Sequence, residues 1–118
     1  MSEAQTAVRS TARDLTAFQQ NILTVLAEEP RYGLAIKREL EDYYGEEVNH
    51  GRLYPNLDDL VTMGFVEKSE LDKRTNEYAL TDDGHEAVLD SIEWTLSKFV
   101  VDDEERVEQI EALLEDSA

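Results

Sequence analysis

Between positions 50 and 56 the chain sets four side chains able to make directional hydrogen bonds: His50, Arg52, Tyr54 and Asn56, with Asn49 just ahead. An arginine fork fits the two acceptors on a guanine edge, and a carboxamide fits the donor and acceptor on an adenine. Bases elsewhere suit phosphate oxygens: Lys37 and Arg38, Lys73 and Arg74, and further out Arg9 and Arg13. The same residue types also suit an ordinary solvated helix face, so chemistry alone does not choose between the two. Other chemistries find less support. There is no cysteine, hence no thiol nucleophile, thiolate metal site or direct thiol sensor. His50 and His85 stand too far apart to form a metal cluster. The carboxylates scatter, and no nucleophile–base pair or phosphate-cradling glycine loop is visible, so neither catalysis nor a cofactor is expected.

The donor set needs a helix to carry it. Leu53, Leu57, Leu60 and Val61 recur at helical spacing and predict an apolar stripe, with Asn49 as N-cap and Gly64 as the stop. Pro55 lies too deep for a free first-turn position and predicts a 3₁₀-like or kinked start. Such a helix, braced on one side and donor-rich at its leading end, suits a DNA major groove. Upstream, Thr16 and Gln19 have capping-box spacing before a stripe of Phe18, Ile22, Val25 and Leu26, which Pro30 ends. Tyr32-Gly33 reads as a turn into a second helix with Ile36, Leu40, Tyr43 and Tyr44 inward, stopped at Gly45.

After Gly64 the period changes. Residues 65–71 and 77–81 read as two strands joined by a turn over 72–76. Thr81 then caps a long helix with Asp82 and Asp83 in its first turn and a stripe of Val88, Ile92, Leu96 and Phe99. Asp102 and Glu105 repeat a capping pattern before Val107, Ile110, Leu113 and Leu114. The fold class is therefore mainly α with a small β-hairpin wing: a winged helix-turn-helix plus C-terminal helices. The divisions are 1–14, an N-terminal arm; 15–81, the winged helix; and 82–118, the C-terminal helices. The winged core can close on itself, so the stripes of the last segment need another partner. A twofold dimer through Val88, Ile92, Leu96, Phe99, Val107, Ile110 and Leu114 supplies one, and folding back onto the core is the alternative.

Composition complicates a nucleic-acid reading. Twenty-eight acids face eleven bases, for a net charge of −17 and a pI near 4.2. Residues 1–81 carry nine bases and fifteen acids, whereas 82–118 carry two and thirteen. Phosphates repel such a surface in dilute salt. A folded, acidic, lysine-poor chain matches adaptation to molar cytoplasmic salt, where screening acts within roughly 3 Å. The 118 residues hold no N-terminal apolar segment and no membrane-length apolar run, which predicts a cytoplasmic protein without a membrane partner.

Three segments together resemble the PadR-like transcriptional regulators. Ile22-Leu23 and Leu26, Pro30, Tyr32-Gly33, Ile36 and Leu40 are similar to the family's opening. Gly51-Arg52-Leu53-Tyr54-Pro55-Asn56-Leu57, Leu60 and Gly64-Phe65-Val66 look like its recognition segment. Arg74, Tyr78, Leu80-Thr81 and Gly84 look like its wing and exit. The acidity extends the resemblance to halophilic archaeal members and, through them, to a stress response. The resemblance implies a homodimer on double-stranded operator DNA, with the third helix in the major groove, the wing on flanking backbone and the last helices at the dimer seam. It also makes Trp94 a candidate contact for a flat aromatic ligand, against partial packing in the interface. Asp58, Asp59, Glu46 and Glu47 depart from the pattern and imply bridging cations at the DNA interface. The rival reading is a winged-helix interaction module whose acidic surface docks a basic protein without DNA.

Overall fold

Thr16 and Gln19 open the first long helix as a reciprocal capping box. The Gln19 N–H donates to Thr16 Oγ1 and the Thr16 N–H donates to Gln19 Oε1, each at 3.1 Å. The structure is a computed structural model that describes residues 12–72 and 75–117. Arg9, Lys73 and Arg74, and most of the proposed N-terminal arm, lie outside the described residues. Helix α1, Ala17–Glu28, buries Phe18, Ile22, Leu23 and Leu26 and ends before Pro30.

Helix α2, Gly33–Tyr44, follows and stops at Gly45, whose φ of 71° is the left-handed conformation that glycine adopts without penalty. Ile36 and Leu40 face inward as expected, and Tyr44 stacks on Phe18 at 6.2 Å. Tyr43 does not face inward: it is 73% exposed and meets Tyr44 only edge-on. Residues 36, 40 and 44 form the buried row, and position 43 falls to its side by the helical rotation per residue. Helix α3, His50–Thr62, lays Leu53, Leu57 and Leu60 against the same core.

The wing is larger than the expected hairpin. Strand β1, Arg31–Tyr32, occupies the expected turn and pairs antiparallel with β3, Thr75–Leu80. Strand β2, Val66–Asp72, pairs on the other side, giving the order β1-β3-β2. Two residues are too few to show strand alternation, so β1 has no sequence signature of its own. Asp72 pairs with Thr75, so the strands run further toward the tip than expected, and a register shift falls between Glu70 and Asp72. Central β3 buries Tyr78, which burial, and then the nearby Asp58 charge, holds above the usual phenol pKa.

Helix α4, Asp82–Phe99, is bolted to the exit of α3. Thr81 Oγ1 donates to the Gly64 carbonyl at 2.6 Å and accepts from the Gly84 N–H at 3.0 Å, while the Thr81 N–H reaches the Phe65 carbonyl. A Cβ on Gly84 would sit 2.1 Å from that carbonyl oxygen, so only glycine allows the approach. Gly84 and Ala87 are buried and Val88 packs partly on the core, whereas the far part of α4 is largely exposed. Helix α5, Glu104–Ser117, buries no residue. Its first turn is capped by Asp103, which accepts from the Arg106 N–H at 3.1 Å, one position later than expected; Asp102 instead takes a positive φ of 47°. Among the described residues, no helix is long and apolar enough to cross a membrane.

Candidate nucleic-acid interface

Asn49 caps α3, its side chain accepting from the Gly51 N–H at 2.6 Å. The Asn49 carbonyl accepts from both Arg52 and Leu53 N–H groups at 3.0 Å, so the first turn mixes 3₁₀ and α bonding. Beyond it the helix continues through Pro55 to Thr62 without a break. Proline brings no N–H, so the Gly51 carbonyl four residues back lacks its helical donor at the solvent-facing end. The C-terminus closes as expected at Gly64, with a φ of 87°. Strong capping at both ends and three fully buried leucines between them hold this short helix in place.

The four predicted donors divide once they are placed. His50 is exposed and stacks on Tyr54, with centroids 5.6 Å apart and planes within 5°. Tyr54 is partly buried, its ring pressed on the start of α2: a Cβ on Gly33 would lie 2.5 Å from the phenol oxygen. Gly33 and Tyr54 thus set how closely the two helices of the helix-turn-helix approach. Arg52 is exposed, with its guanidinium carbon 3.9 Å from the centre of the buried Phe18 ring. Asn56 uses both ends of its amide inside the protein. Its Nδ2 donates to the Arg52 carbonyl at 2.7 Å and its Oδ1 accepts from Gln19 Nε2 at 3.1 Å.

The flanking bases are also differently employed. Lys37 pairs with Glu41 at 2.9 Å, and Glu41 also accepts from the Val48 N–H, pinning the connection between α2 and α3. The Val48 N–H, and then Lys37, hold the Glu41 carboxyl below its usual range. Arg38 is exposed on the same helix. Arg13 pairs with Asp90 of α4 at 3.2 Å and so is not gathered with the α3 donors. Asp58, Asp59, Glu46 and Glu47 are all exposed beside α3.

Three positioning residues escaped the sequence reading. Phe18 and Gln19 are recognisable as stripe and cap, but nothing in their spacing tells of partners on α3. Arg31 is mostly buried, with Glu28, Glu29 and Glu39 at 3.0, 3.8 and 3.6 Å, and ties β1 to the end of α1 and the middle of α2. Among the described residues no cluster of side chains could hold a metal ion. At the far end, Val88 packs partly on the core, while Ile92 (49%), Phe99, Val107 and Leu114 (66%) are exposed and Leu96 and Ile110 are half-buried. Trp94 is 62% exposed and borders an open hollow with Arg13, Leu15 and Asp90.

Comparison with known proteins fits this geometry. The complex structure of hsRosR-S4 superposes with a TM-score of 0.90 at 74% identity, covering 93% of this chain and 95% of that one. Halobacterium salinarum RosR grown from NaBr gives 0.88 at 75% identity, over 90% of this chain and 96% of that one. Bacillus subtilis PadR in complex with operator DNA shares the fold at 23% identity and a TM-score of 0.56, over 66% of this chain and 46% of that one. No curated protein matches. The model of the transcriptional regulator PadR-like family matches residues 22–90, from the middle of α1 through the wing to Asp90 on α4. The chain therefore belongs to the PadR-like family and is a transcriptional regulator rather than an enzyme.

Proposed function

We propose that the chain binds double-stranded operator DNA as a homodimer, α3 lying in the major groove and the wing, with Lys73 and Arg74, on the flanking backbone. The observation that carries this is the exposed leading end of α3, where Arg52 and His50 face solvent above three fully buried leucines. Phosphate contacts fall to Arg38 and the wing-tip bases, with Lys37 and Arg9 as further candidates. Residues 15–81 read DNA and 82–118 join the protomers through their exposed apolar stripes. Bacillus subtilis PadR, a fold neighbour, has been solved on operator DNA, which supports the docking mode.

The −17 charge and the identity to a Halobacterium salinarum relative support action in a high-salt cytoplasm, in a stress response. There, counterion release contributes little, because that term falls with the logarithm of salt. Base hydrogen bonds, shape fit and cations bridging Asp58, Asp59, Glu46 and Glu47 to phosphates carry the affinity. Binding of the intact protein to its operator is expected to persist between about 0.5 and 2 M KCl; a steep loss of the counterion-release kind sinks the salt reading. The operator comes from capturing the tagged protein on its native chromatin and sequencing the DNA. A palindrome with half-sites about one helical turn apart is the expected result. Motif-free recovery no better than a mock turns the reading toward a protein-docking module.

A further inference from the structure

A run of hydrogen bonds links α1 to the reading face of α3, and its direction is forced. At one end stands the Thr16 N–H, which can only donate; it gives to Gln19 Oε1 at 3.1 Å. Gln19 must then present Nε2 to Asn56, at 3.1 Å, and Asn56 must meet it with Oδ1. That leaves Asn56 Nδ2 for the Arg52 carbonyl, at 2.7 Å, which can only accept. A fixed donor at one end and a fixed acceptor at the other allow neither amide to flip. Gln19 is buried, so water competes poorly for its bonds. The preceding residue on α1 acts on the other end of Arg52. The Phe18 ring, itself stacked on Tyr44, lies under the guanidinium with 3.9 Å between carbon and ring centre. Backbone and head group of Arg52 are thus both held from α1, across a sequence separation of more than thirty residues.

We infer that Phe18 and Gln19 are positioning residues for base recognition: they set the preference of Arg52 without touching DNA, and Asn56 serves this bracing rather than reading a base. The inference rests on the operator reading above. Bidentate recognition of a guanine needs the guanidinium plane aligned with the base edge. A guanidinium held 3.9 Å over a buried ring has fewer positions open to it before DNA arrives, so less freedom is lost on binding. With the relay intact, Asn56 already spends one amide proton and one acceptor lone pair inside the protein, and both hold its amide in the orientation that braces Arg52 rather than one turned to an adenine.

The test selects bound duplexes from a random-sequence pool with the intact protein and compares base preferences. Variants are Gln19→Met, Phe18→Leu, Asn56→Ala and Arg52→Ala, each first checked for melting temperature and oligomeric state. The wild type should enrich a guanine at one pair per half-site, and Arg52→Ala should erase that preference. Gln19→Met, Asn56→Ala and Phe18→Leu should each weaken it at that same pair by about tenfold, within the range of one bidentate contact. Affinity for unselected duplex should change little. Gln19→Glu, which still accepts from Thr16 but cannot donate to Asn56, should behave like Gln19→Met. Should Phe18→Leu fail to fold, the Gln19 and Asn56 variants decide. An unchanged preference in folded Gln19→Met overturns the inference. So does Asn56→Ala erasing an adenine preference that Gln19→Met leaves intact. A wild-type chain that enriches no motif overturns the operator reading itself, a separate outcome.

Discussion

Helices α3 and α5 carry similar apolar stripes, and the protein treats them in opposite ways. Leu53, Leu57 and Leu60 are completely buried, whereas Leu113 and Leu114 on α5 are mostly exposed. Helix α4 holds both conditions in one element, with Gly84 and Ala87 packed on the core and Ile92 and Phe99 bare further along. The periodicity of a stripe states that a helix has an apolar face; it is silent on whether that face meets its own core or another chain. Where the connection is short and locked, as at Gly64-Phe65 and Thr81-Gly84, the stripe is delivered to the core. Where the helix outruns the core, the stripe is left over.

The difference can be broken most severely at the far end. Ile92→Asp with Leu96→Asp should abolish the proposed dimer, read as a halved mass in sedimentation, while circular dichroism retains a folded winged helix. A mass that stays unchanged would mean that these stripes do not join protomers. At the near end the effect should fall on folding instead. Leu57→Ala removes a fully buried side chain and should cost about 2–5 kcal/mol in urea unfolding. Gly84→Ala forces a methyl into the Phe65 carbonyl and should cost about 1–3 kcal/mol, with α4 displaced at its root.

The smallest effect concerns pH. The Val48 N–H and Lys37 lower the Glu41 pKa below its usual 4.5 in the folded chain. The stability this contributes is complete above that usual value and is lost as pH falls through the lower, folded one. Wild type should therefore be slightly more stable than Glu41→Gln at about pH 7, with the gap closing as pH falls below the usual carboxylate range in parallel unfolding curves. A gap that persists in acid would assign the difference to packing rather than charge.

Much of this was written locally. The Thr16–Gln19 box, the Asn49 and Thr81 caps, the glycine stops at 45 and 64 and the leucine stripe of α3 each depend on residues within a few positions, and each formed where its spacing placed it. The family motif was legible for the same reason, and the geometry now explains its glycines: Gly33 yields to Tyr54, and Gly84 to the Phe65 backbone. Tertiary structure alone decided the rest. It drew Arg31 and Tyr32 into a third strand, paired Arg13 with Asp90, and brought Phe18 and Gln19 under Arg52 and Asn56. Caps and periods are set by bonds that span one or two turns, whereas these contacts depend on the angles at which helices cross. Those angles follow from how the whole core packs.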